Sequence, residues 1–204
     1  MFSVHVNKII KLFETLIVYY RLYNLNVNKI NLLNIRISKE FNLKILNKED
    51  LHLFNQFNLP EKYLKIYLAR FESNNFICFA IIDTKENNLA YYSWINFEKK
   101  TYCKEIKKTL DLENKNACLF EDDNTHEDYR KLKLHSFVMN ERLKYCIDKE
   151  IKKVYIIIHP KNIPAIKTIK KFNFIRSIHF PYTYRNNSFS LIFNKLNTIG
   201  TFKK

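Results

Sequence analysis

Two kinds of apolar pattern alternate along this chain. Short unbroken runs suit strands buried on both faces, and recurrences every three or four residues suit one face of a helix. The clearest runs are residues 76–82 and 154–158, and both predict central strands. Lys85, Glu86, Asn87 and Asn88 form a turn signal after the first run, and residues 89–95 then predict a returning strand. Shorter strands are predicted at 43–46 and 117–120, residues 106–112 alternate, and residues 113–116 predict a turn.

Helical spacing recurs between these runs. Glu49 and Asp50 open a segment through Leu51, Phe54 and Phe57, and Pro60 opens one carrying Tyr63, Ile66, Tyr67 and Phe71. Met139, Leu143, Cys146 and Ile147 mark a helix ending near Lys149. Asn162 and Pro164 open a last helix that turns Ala165, Ile166, Ile169 and Phe172 inward. Strands are predicted beyond it at 174–180 and 188–193, with a turn at Asn186 and Asn187. At the other end of the chain, Ile9, Leu12, Phe13, Leu16 and Ile17 share a helical face, so residues 1–40 read as a basic helical extension. Residues 25–37 are Asn-rich with irregular apolar spacing and predict no element. Hairpin strands, then strand–helix–strand–helix, then a closing hairpin predict an α/β fold. It would be one domain over residues 41–204, a mixed and mostly antiparallel sheet flanked by helices.

Composition then limits the function classes. With 204 residues, 47% of them hydrophobic and 27% charged, the chain suits a folded domain rather than a disordered one. Its four cysteines lie far apart, with no CxxC pair and no His/Cys cluster. That argues against a metal site and for free thiols in a reducing, cytoplasmic setting. No stretch reaches the roughly 20 apolar residues of a membrane span; Lys11, Glu14 and Arg21 interrupt the nearest candidate. The net charge of +15 attracts phosphorylated ligands, nucleic acid or anionic membranes without choosing among them. The lysines are scattered and the aromatics sit in apolar runs, without a nucleic-acid-binding motif, so nucleic acid is the less favoured partner.

The 117–120 strand runs through Glu121, Asp122 and Asp123 into a turn carrying Arg130, Lys131 and Lys133, and a helix starts directly after it. A helix start leaves backbone N–H groups unpaired and carries a positive dipole, so this turn suits an anion of pyrophosphate size. The lysines between 152 and 171, with no acid among them, would suit further phosphates.

The stretch from Thr125 to His135 resembles the acetyl-CoA-binding motif of the GNAT N-acetyltransferase superfamily: an Arg or Gln, two residues, a Gly, one residue, then Gly or Ala. Arg130 takes the first position, Lys133 stands at the first Gly, and His135 at the second Gly or Ala. Asn162, Ile163, Pro164 and Ala165, followed by Lys171, Phe172, Asn173 and Phe174, resemble the family's later segment, with Asn173 in place of a Gly. The resemblance implies an N-acetyltransferase that moves an acetyl group from acetyl-CoA, its co-substrate, to an unidentified amine by direct attack, without a metal. It implies that Arg130, Lys131, Leu132, Lys133, Leu134, His135 and Ser136 hold the pyrophosphate, with Thr125 and His126 leading into that turn. A backbone N–H near Thr125 would polarise the thioester carbonyl, and Asn162 would lie beside the pantetheine arm. Ile169 stands where many relatives carry a Tyr that protonates the departing thiolate.

Read from the residues alone, Asp123 and then Glu121 are the candidate general bases, because they stand at the end of the motif strand where an acceptor amine would approach. His126 and His135 are further candidates. Two other functions stay open: a GNAT fold that has lost catalysis and serves as a binding module, and a basic nucleic-acid-binding domain.

Overall fold

The structure, a computed structural model, describes residues 17–103, 106, 108–112 and 116–183. Nine strands and three α-helices run in the order β1 (Ile17–Asn26), β2 (Phe41–Leu46), α1 (Glu61–Glu72), β3 (Phe76–Asp83), β4 (Asn88–Asn96), β5 (Lys100–Cys103), β6 (Lys108–Asp111), β7 (Ala117–Thr125), α2 (Leu134–Asp148), β8 (Lys153–Ile158), α3 (Ile163–Lys171) and β9 (Ile175–Thr183). A 3₁₀ segment, Lys48–Phe57, precedes α1 where the sequence predicted helix. Seven of these strands form one sheet in the order β2-β3-β4-β7-β8-β1-β9, while β5 and β6 pair apart as a small hairpin. Neighbours in the large sheet are antiparallel except β7 and β8, which run parallel across the α2 crossover. This is the mixed, mostly antiparallel α/β sheet that the pattern predicted.

Both faces of the sheet are covered, which is why its central strands read as unbroken apolar runs rather than alternating ones. The period of two reappears in three dimensions. Phe79 and Ile81 join one core with Val138, Met139, Leu143, Ile166, Ile169 and Phe172 of α2 and α3. Their neighbours Cys78 and Ala80 join a second core with Phe54, Tyr67, Tyr92 and Trp94 on the α1 side. Trp94, Phe54, Tyr91 and Phe120 are among the largest fully buried side chains, each contributing about 1.5–3 kcal/mol of burial.

Residues 17–26 correct the expected helical extension. They form a strand inside the sheet, pairing with β8 through Arg21–Ile158 to Asn26–Lys153 on one edge and with β9 on the other. Tyr23 and Leu25 point into the core shared with α2 and α3, and two-residue spacing is a strand's signature, not a helix's. The sheet therefore does not begin at residue 41. The rest of the helical face, Ile9 to Leu16, and the predicted 188–193 strand lie outside the described residues.

Candidate active site

Two departures from regular pairing open the site. The parallel register of β7 and β8 runs from Ala117–Lys153 to Phe120–Ile156 and stops. Beyond it β7 stays with β4 as far as Thr125, while β8 stays with β1, so the sheet parts into two halves. In the same place β7 carries a bulge. Glu121 pairs with Trp94 and Asn124 with Tyr92, so Asp122 and Asp123 together face the single residue Ser93. Asp122 takes the extra turn in the left-handed region at φ 52°. A bulge re-aims the side chains beside it, and here it sends neighbouring carboxylates to different partners.

Glu121 and Asp122 both reach Arg70 of α1, each at 2.7 Å. The Arg70 guanidinium in turn lies 5.2 Å from the Phe76 and Trp94 rings. Asp123 instead joins the α2 side. Its Oδ1 accepts hydrogen bonds from the Tyr91 hydroxyl at 2.6 Å and from Arg142 Nη2 at 2.5 Å. Arg142 is fully buried, donates also to the Trp94 carbonyl at 3.3 Å, and stacks 4.2 Å from the Phe120 ring. The other carboxylate oxygen, Oδ2, faces His135 Nε2 at 3.7 Å. Burial pushes the His135 pKa below its ordinary 6.5, with the Arg142 charge adding to the fall and Asp123 opposing it, so the ring is neutral at neutral pH. Burial also lifts the Tyr91 phenol well above 10, keeping it a donor.

The strand ends in a short turn, Glu127–Tyr129, before α2. Tyr129 holds that turn by donating to Asp83 Oδ2 at 3.1 Å and meeting Phe41 edge-on at 5.9 Å. Lys131 and Lys133 then both lie in the left-handed region, at φ 67° and 62°. Lys133 is the N-cap of α2 and gives it no side-chain cap, so the first-turn N–H groups stay available to an anion. Lys133 therefore adopts the backbone that a glycine takes without strain. His135, at the other small-residue position, stacks its ring with that of Tyr91, with centroids 6.1 Å apart.

A cavity of about 690 Å³ opens where the strands part. Asp123, Thr125, Arg130, Lys131, Leu132, Lys133, Leu134, His135, Ser136 and Asn162 all line it, along with Tyr91, Tyr129 and Thr168, which the sequence did not single out. Asn162 also accepts a hydrogen bond from the Ala165 N–H at 3.2 Å, so one side chain caps α3 and faces the cavity. Two of the predicted residues stand elsewhere. His126 packs against Phe57 and Tyr129, with ring centroids at 5.4 and 5.9 Å, and Glu121 is turned to Arg70. Ile169 lies in the core and is fully buried.

Asp123 lines a second cavity as well, of about 310 Å³, on the α1 side with Tyr63, Tyr67, Tyr92, Asp122 and Asn124. A third, of about 240 Å³, adjoins the turn through Lys133 and Ser136 and adds Arg36 and Lys171. Among the described residues no group of His, Cys, Asp and Glu is arranged to hold a metal ion, and no helix is long and apolar enough to cross a membrane.

This sheet order, with a parallel pair that parts where β7 bulges, gives a fold similar to that of solved GNAT N-acetyltransferases. The similar solved structures include a tandem GNAT protein from the clavulanic acid biosynthesis pathway, at TM-score 0.60 and 14% identity over 84% of this chain and 55% of that one. An aminoglycoside acetyltransferase from an uncultured soil metagenomic sample matches at TM-score 0.52 and 14% identity, over 74% of this chain and 100% of its own. A possible acetyltransferase from Clostridium difficile 630 matches at TM-score 0.52 and 12% identity, over 72% and 99%. The chain spans about half the length of the tandem protein. No family model matches the sequence, and no curated protein does either.

Proposed function

We propose that this protein is an acyltransferase that moves an acetyl group from acetyl-CoA to an amine. The observation that carries this reading is the position of Asp123, which alone among the described residues lines both the large cavity by the turn before α2 and the smaller cavity on the α1 side. Two reactants entering from opposite faces would meet there. In support of acetyl-CoA, Lys133 keeps the left-handed backbone that a glycine takes without strain, and the His135 ring is stacked with Tyr91. The pyrophosphate would lie on the N–H groups of residues 134–136 beside Arg130 and Lys131, and the pantetheine arm would run between β7 and β8 past Asn162. Arg36, Lys133 and Lys171 offer positive charge to the nucleotide end.

In the reaction, the amine nitrogen attacks the thioester carbonyl carbon. The C–S bond breaks, CoA leaves as the thiolate and takes up a proton, and the amine gives one up. The protein supplies placement and charge rather than a covalent intermediate. Asp123 Oδ1 is held by two donors, so Oδ2 is the oxygen that can orient the amine. The neutral His135 ring beside it adds proton-accepting capacity. Glu121, paired with Arg70, has no direct part in this reading.

Calorimetric titration of the purified protein with acetyl-CoA, CoA and ATP tests it. Micromolar binding that depends on the pantetheine arm is expected. A folded protein that binds none of the three would leave the fold as a non-catalytic binding module.

A further inference from the structure

The basic residues are scattered along the chain, but the acidic ones are not. All 20 Asp and Glu residues lie at Glu14 or between Glu40 and Glu150, so residues 15–39 and 151–204 contain none. The fold draws these two acid-free stretches together. β1 lies between β8 and β9 in the sheet. The Asn31 side-chain amide donates to the Lys171 carbonyl at 3.2 Å, and that of Asn173 to the Lys29 carbonyl at 3.3 Å. Every ion pair among the described residues falls between Glu40 and Lys144, so Lys29, Lys167 and Lys170 take no part in them. Such a separation of charge marks a surface for a large anion.

The other side chains there decide which anion. Ile30, Leu33, Ile35 and Ile37 pack on the core, which turns Leu32, Asn34 and Arg36 outward. α3 buries Ile166 and Ile169 and leaves Ile163, Lys167, Lys170 and Lys171 exposed. One stripe therefore runs from Ile163, at the start of α3, through the lysines to Leu32, beside its end. Both apolar ends are open to solvent, Ile163 by 50% and Leu32 by 40%. The only exposed Phe, Tyr or Trp among the described residues is Tyr102 of β5, so the stripe offers nucleic-acid bases no ring to stack on.

We propose that the stripe formed by α3 and residues 27–37 docks this protein on a membrane rich in acidic phospholipids. The headgroups meet the lysines, and Leu32 and Ile163 leave water at the boundary of the acyl layer. Against a phosphate backbone the same two side chains would gain nothing. The inference does not depend on acyl transfer.

Co-sedimentation of the full chain with vesicles tests it. Vesicles of phosphatidylglycerol mixed with phosphatidylcholine are compared with phosphatidylcholine alone, and mixed-sequence duplex DNA is titrated at the same salt. Binding to the acidic vesicles is expected, and it should weaken as salt rises. Lys29→Gln/Lys167→Gln/Lys170→Gln should lower the partition coefficient on the order of a hundredfold. Lys62→Gln/Lys99→Gln/Lys100→Gln removes the same charge from the other half of the molecule and should cost less than about tenfold. Leu32→Ser should weaken vesicle binding about threefold without altering any binding of DNA. Equal losses in the two triple variants would reduce the attraction to net charge and overturn the proposal. Equal uptake by phosphatidylcholine alone, tighter binding of the DNA, or vesicle binding untouched by Leu32→Ser overturns it as well.

Discussion

Arg142 Nη2 donates to Asp123 Oδ1 at 2.5 Å, tying the middle of α2 to the bulge of β7. The guanidinium has no exposure to solvent, so it depends on this carboxylate, the Trp94 carbonyl and the Phe120 ring for everything that water would otherwise supply. Removing one member of such a pair strands the other charge. Arg142→Met is expected to destabilise the fold by about 3–5 kcal/mol, read as a lower denaturant midpoint. Adding Asp123→Asn to it should recover part of the loss, because neither charge is then left alone. Strictly additive losses in that double-mutant cycle would show that the two residues do not act as a pair.

The turn before α2 gives a second expectation. Arg130 lines the large cavity near the helix start, where its charge would meet phosphate. Arg130→Glu should weaken acetyl-CoA binding by about tenfold or more while the melting temperature stays within a degree or two of the parent. Unchanged affinity in the folded variant would remove the phosphate site as drawn here.

Lys133 offers a stability measurement independent of any ligand. Its φ of 62° is costly for a side chain with a β-carbon and free for glycine. Lys133→Gly is therefore expected to stabilise the protein by about 1 kcal/mol despite the added freedom of the unfolded chain. A loss of stability would mean that contacts of the lysine stem outweigh the backbone relief.

His135 links stability to pH. Its pKa is lowered from 6.5 in the folded protein, chiefly by burial. Between the folded value and 6.5 the unfolded chain binds more protons, so stability rises with pH across that window and is fully present above about 6.5. Acidification protonates the unfolded state first and stability falls. His135→Gln cannot titrate and should flatten this part of the profile, measured as denaturant midpoints between pH 4 and 8. An unchanged slope would assign the acid sensitivity to other groups.

Much of the architecture can be read from local pattern. The unbroken runs at 76–82 and 154–158 became central strands because strands covered on both faces need apolar residues at every position. The spacing of Met139, Leu143 and Cys146 became α2 because these residues fall on one helical face. The turn before α2 and the cap Asn162 were also visible, since a helix start is written in contiguous sequence. Residues 17–26 were harder. Their apolar positions continue a helical spacing from Ile9, and the pairing that makes them a strand is with β8 and β9, more than a hundred residues away.

The sequence by itself determined an α/β sheet, a phosphate-suited turn and a pair of acidic residues at the end of its strand. These are properties of neighbours along the chain. Tertiary structure alone decided what the carboxylates do. A single extra residue in β7 sends Glu121 and Asp122 to Arg70 and Asp123 to Arg142, Tyr91 and His135. Those partners come from α1, α2 and β4. No spacing within residues 121–123 encodes them, because the charge a carboxylate meets is set by which distant element the fold lays against it.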